Sequence, residues 1–120
     1  MVTRRSAKTK GNQFEYSIRD SLKPIIHDIV LTKEEGYVSQ YDLKSEKNFM
    51  AFECKKHRAI SWSQAKKYFL KLEEKMPSGF KGFLCFQSNQ QPCLVMSRLR
   101  NNFINVVEFQ DIFYTPFIKH

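Results

Sequence analysis

The chain has 120 residues, 42% of them hydrophobic and 27% charged, with eleven phenylalanines and a formal net charge of +8. This length suits one domain with a core of its own, the composition excludes a disordered chain, and no apolar run is long enough for a transmembrane helix or a signal peptide. The expected setting is therefore intracellular, with no membrane association, and the positive charge favours a polyanionic partner such as DNA.

Residues 1–10 carry Arg4, Arg5, Lys8 and Lys10 without an acid, which predicts a flexible basic arm ahead of a single domain over 11–120. A helix is predicted from Gly11, where Phe14, Ile18 and Leu22 recur at one-turn spacing until Pro24 ends it, with Glu15 at the margin of that stripe. IIHDIVL (25–31) predicts a strand and KEEG a turn; YVSQYDL (37–43) and FMAFECK (49–55), joined by the polar KSEKN, predict a hairpin. Ser61 opens a second helix in which Trp62, Ala65, Phe69, Leu72 and Met76 share a face, and Pro77 stops it. Strands at 82–87 and 93–97 follow, and the tail from Asn101 to His120 has apolar residues without a decisive period. The order α-β-β-β-α-β-β predicts an α/β fold, a mixed β-sheet flanked by helices. Cys54, Cys85 and Cys93 lack CxxC spacing and read as reduced, buried apolar residues.

The run NFMAFECKK poses the functional question. Side chains alternate along a strand, so Met50, Phe52 and Cys54 share one face while Ala51, Glu53 and Lys55 share the other. The apolar face supplies core. A carboxylate and an ammonium remain on the opposite face, and Asp42 arrives on the preceding strand of the hairpin. Glu53 and Lys55 alone would pass for an ordinary solvated pair.

Together, D42 followed after ten residues by E53-C54-K55 resembles the PD-(D/E)XK nuclease superfamily, whose pattern is an acid, a gap, then acid, any residue, lysine on a β-hairpin. GNQFE matches the first-helix context G-x-x-x-E with Gly11 and Glu15, and QAKKY matches Q-x-x-x-Y with Gln64 and Tyr68. The resemblance covers residues 11 to about 87. Size, first-helix glutamate and basic arm look most like the small Holliday junction resolvases of archaea and their viruses, and YD followed by FECKK is similar to the RecU resolvases. Q-x-x-x-Y is more typical of RecB-type nucleases, and Tyr41 stands where the pattern has proline.

The resemblance implies a restriction-endonuclease-like core, Mg²⁺ as cofactor with Mn²⁺ able to substitute, and a homodimer acting on branched or four-way DNA. It implies Asp42 and Glu53 as direct metal ligands, the Cys54 backbone carbonyl as a neutral one, and Glu15 holding a metal directly or through water. Lys55 would orient or deprotonate the attacking water, or stabilise the phosphate charge. Gln64 has two readings: a site residue, or the closing member of a capping box with Ser61. Tyr68 reads as a DNA contact or as core, and Glu15 as a site residue or a partner of Arg19. His57 lies beyond the strand end, where a phosphate contact is expected. With it, Lys44, Lys47, Lys56, Arg58 and Lys66 join Arg4, Arg5, Lys8 and Lys10 as expected DNA contacts. Phe113, Tyr114, Phe117 and Ile118 are candidates for a dimer interface. Alternatives are a RecB-like exonuclease or flap nuclease and, from another class, a non-catalytic DNA-binding protein.

Overall fold

The structure is a computed structural model that describes residues 4–35 and 40–119, with side chains from residue 13 onward. Helix α1 (Arg4–Leu22) presents Phe14, Ile18 and Leu22 to the core, as the one-turn spacing requires. It begins ahead of the expected start at Gly11. The stretch Arg4–Lys10 lacks proline and is rich in good helix formers, so the backbone predicted as an arm continues the helix. The side chains of Arg4, Arg5, Lys8 and Lys10 lie outside the described residues.

The predicted strand over 25–31 shrinks to β1 (Val30–Leu31). Its β-branched residues serve the core from a series of turns instead: Ile25 and Ile26 N–H both donate to the Leu22 carbonyl, and Ile26 and Ile29 are buried. A short 3₁₀ turn (Thr32–Glu35) follows. Of the strand expected over 37–43, residues 36–39 lie outside the described set; β2 is Leu43–Ser45, so Asp42 precedes it. Then come β3 (Met50–His57), α2 (Trp62–Lys75), β4 (Lys81–Ser88) and β5 (Leu94–Arg98). The tail, read as lacking a period, supplies β6 (Ile104–Glu108) and the short helix α3 (Phe109–Phe113).

The result is an α/β fold with a mixed six-stranded sheet in the order β1-β2-β3-β4-β5-β6, flanked by helices. Only β3 and β4 are parallel, because α2 carries the chain back across the sheet between them. On one face α1 and α3 cover Phe52, Phe83 and Cys85, with the Phe52 and Phe83 rings stacked at 5.1 Å. On the other face α2 lays Ala65 and Phe69 over Leu84, Phe86 and Met96. Small residues let it come close: Ala51 pairs with Gly82, where a Cβ would stand 3.2 Å from Leu72 Cδ2 and Met76 Sδ. Phe113 is core and Phe117 packs on Phe14 and Phe109, so of the four tail residues considered for an interface only Tyr114 (90%) and Ile118 (46%) are exposed.

Candidate active site

β3 carries the alternation read from the sequence. Phe52 and Cys54 belong to the core under α1; Glu53 and Lys55 stand beside Leu84 and Phe86 of β4, on the face of α2. Lys55 Nζ lies 5.0 Å from the Tyr68 ring centroid, and the His57 ring is 6.2 Å from the same ring. Tyr68 thus joins the lysine to the helix.

Asp42 owes its position to a backbone irregularity. Leu43 is the register partner of Phe52, yet the Asp42 N–H also donates to the Phe52 carbonyl at 2.9 Å. Two residues therefore face one, a bulge that ends regular pairing and re-aims the Asp42 side chain. Its Oδ2 accepts the Cys54 N–H at 2.8 Å. From the other side Thr32 holds the approach: its N–H donates to the Asp42 carbonyl at 3.0 Å and its hydroxyl to the Tyr41 carbonyl. Because backbone groups alternate, the Cys54 carbonyl opens on the same edge as its N–H, beside Asp42.

The acids gather around Asp42, near enough that Glu53 and Glu15 each perturb its carboxyl. Burial and the adjoining Glu53 push Asp42 up to about 7, and Glu15 is raised by burial and by Asp42. Two like charges in a shielded place share a proton more readily than both ionise. Lys33 offsets part of this charge: its Nζ donates to Glu15 Oε2 at 3.0 Å and lies 5.1 Å from the Tyr16 ring centroid. Crowded oxygen donors are, in kind, what a hard divalent cation binds. Among the described residues no three His, Cys, Asp or Glu side chains already stand at metal-holding spacing. Lys33 holds Glu15 on one side of the group and the Cys54 amide holds Asp42 on the other.

The remaining predicted residues divide. The Gln64 amide oxygen accepts the Ser61 N–H at 3.1 Å while Ser61 Oγ accepts the Gln64 N–H at 3.2 Å, which closes the capping box of α2. Lys44 is tied to Glu35 at 3.2 Å and Glu46 at 2.9 Å. Lys56 falls on the α1 side of the sheet, lining a cavity of about 30 Å³ with Gln13, Ser17 and Gln87. Lys47, His57, Arg58 and Lys66 are exposed. Sequence reasoning missed Thr32 and Lys33, which reach the site from the 3₁₀ turn ahead of β2 and belong to no motif. Cys85 and Cys93 are buried and Cys54 is half-buried, all reduced.

The fold is thus α/β with a mixed six-stranded sheet, and its candidate site is a carboxylate group at the opening between β2 and β3. No protein family and no curated protein matches the sequence. The chain is similar in structure to Hjc, a Holliday junction resolvase from the archaeal hyperthermophile Archaeoglobus fulgidus, with a TM-score of 0.45 and 14% identity over 91% of this chain and 99% of that one. No helix among the described residues is long and apolar enough to cross a membrane.

Proposed function

We propose that the protein is a metal-dependent DNA endonuclease of the PD-(D/E)XK kind, acting as a homodimer on branched DNA, with four-way junctions as the foremost substrate. The observation that carries this reading is the meeting of Glu15, Asp42 and Glu53 from three separate segments at a break in the sheet, with Lys55 two residues along β3 from Glu53. Nothing in the packing of a core requires three acids at one place. Asp42, Glu53, Glu15 and the Cys54 carbonyl would hold Mg²⁺, or Mn²⁺ in its place, and the ion would neutralise charge on the phosphodiester as it is hydrolysed.

The chain's own groups account for the rest. The Cys54 N–H fixes one oxygen of Asp42 and leaves the other to the site, while Lys33 positions Glu15. Lys55, which shares the Glu53 face of β3 and leans on Tyr68, would orient the attacking water and steady the phosphate. The exposed Lys47, His57, Arg58 and Lys66, with the basic side chains of the N-terminal segment, supply phosphate contacts that depend on shape and not on base sequence.

The test is cleavage of four-way junctions, duplexes, flaps and single strands with Mg²⁺ or Mn²⁺, by the wild type and Asp42→Asn. Symmetric cutting of junctions by the wild type alone supports the proposal. Cutting of ends or flaps instead would favour a RecB-like nuclease, and binding without any cutting would make the protein a non-catalytic DNA-binding module. Equal cleavage by Asp42→Asn would remove the proposed site.

A further inference from the structure

Strand β6 ends the sheet, and among the described residues none pairs with its outer edge. Leu99 N–H donates to the Phe103 carbonyl and Phe109 N–H to the Cys93 carbonyl, so residues 103, 105, 107 and 109 turn their backbone groups toward β5. By the two-residue alternation, Ile104, Val106 and Glu108 turn theirs outward, each with one N–H and one C=O. Their side chains share the α2 face, where Ile104 and Val106 line a groove of about 360 Å³ with Trp62, Lys66 and Met96. Trp62, read from the sequence as part of the apolar face of α2, is 64% exposed at its rim. An exposed edge of β-branched residues with no lysine or proline lacks the usual protection against pairing with another chain.

The charge pattern selects the partner. The protein has 20 Lys and Arg, yet residues 101–118 hold none, and their charges are Glu108 and Asp111. The strand therefore brings no cation of its own to its edge, Lys66 of α2 being the basic residue of the groove, and this edge is a place where two strongly basic chains meet with little repulsion.

We infer that β6 is the interface with a second copy of this chain, joined as an antiparallel β6–β6 pair about a two-fold axis through Val106. In that register Val106 faces Val106 of the partner subunit as a hydrogen-bonded pair, and Ile104 faces Glu108 of the partner subunit. The six-stranded sheets become one continuous sheet, the two apolar grooves adjoin across the axis, and Glu108 comes to the face where Lys66 stands. Opposite charges thus meet at each end of the paired strands. This places the homodimer already proposed on a particular surface, one that stands apart from the cleavage chemistry.

The experiment is light scattering and sedimentation of the full chain, without DNA or metal, over a wide concentration range, for the wild type, Val106→Pro and Val106→Cys. Val106→Pro removes an outward N–H that β5 does not use, an edge position where proline is tolerated. The wild type is expected at about twice the 14.3 kDa chain mass and Val106→Pro at one chain mass, with unchanged circular dichroism. Val106→Cys is expected to form a covalent dimer under mild oxidation, since hydrogen-bonded partners stand about 5.5 Å apart at Cα, within disulfide reach. Asn105→Cys, whose symmetry mate is not its partner, should not. A monomeric wild type overturns the inference, as does a dimer in which Val106→Cys fails to cross-link; if Val106→Pro misfolds, the cross-link decides. Loss of cleavage with this dimer intact would count against the nuclease reading alone.

Discussion

The Cys54 N–H donates to Asp42 Oδ2 at 2.8 Å, so the strand that carries Glu53 and Lys55 also holds the neighbouring acid in place. The bond costs the sheet nothing, because the bulge at Asp42 has already freed that amide from regular pairing. Replacing the carboxyl by an amide keeps an acceptor for Cys54 and removes the charge. Asp42→Asn is therefore expected to lower Mg²⁺-dependent cleavage at least about 10²-fold while junction binding, read by gel shift in Ca²⁺, changes little.

The same crowding makes stability depend on pH. The folded-state value of Asp42, about 7, lies above its ordinary 3.8, so folding favours the protonated form. The contribution is fully present below about pH 4 and is lost as pH rises through 7; Glu15 shifts in the same direction. In metal-free buffer the melting temperature should fall between pH 5 and pH 8 by the equivalent of roughly 1–3 kcal/mol. Asp42→Asn should flatten that decline, and Mg²⁺ should restore the wild type at pH 8 by binding the native state. Calorimetry with and without chelator checks this; a wild-type profile that rises toward pH 8 without metal would contradict it.

Lys55 is set against Tyr68 at 5.0 Å, which separates its charge from its support. Lys55→Met should reduce single-turnover cleavage about 10²-fold with DNA affinity nearly unchanged. Tyr68→Phe keeps the ring and should cleave as the wild type, whereas Tyr68→Leu should lose about two- to fivefold.

Gln64 closes a capping box, and its substitution distinguishes the cap from a role in chemistry. Gln64→Ala should cost about 0.5–1 kcal/mol in urea denaturation, and Gln64→Glu, an equally good partner for the Ser61 N–H, should restore it. Cleavage at a temperature well below unfolding should be little changed in both.

Asp28 accepts the Ser45 hydroxyl at 2.6 Å and the Lys47 N–H at 3.0 Å, pinning the turn that feeds β3. These bonds hold its carboxyl below the ordinary value, so its contribution is present above about pH 4 and fades on acidification. Asp28→Ala is expected to destabilise by about 1–2 kcal/mol at neutral pH, measured by urea denaturation, with a smaller difference at pH 3.

Much of this was legible along the chain because local spacing reports a local environment. One-turn spacing located Phe14, Ile18 and Leu22 on the buried side of α1, and alternation separated Phe52 and Cys54 from Glu53 and Lys55 before any packing was known. Asp42 stood out only through the resemblance that it completes with Glu53 and Lys55. The tail was illegible for the same reason. Ile104, Val106 and Val107 have no clean period because an edge strand is half-exposed on both faces, and α3 is too short to display one.

Composition and periodicity by themselves determined an α/β chain with acids and a lysine beside a hydrophobic strand, since each depends only on residues a few positions apart. Only the tertiary structure decided that Asp42 is re-aimed by a bulge and that Thr32 and Lys33 reach the group. Those outcomes depend on hydrogen bonds between segments distant in sequence, and no local pattern encodes a partner that folding has yet to bring near.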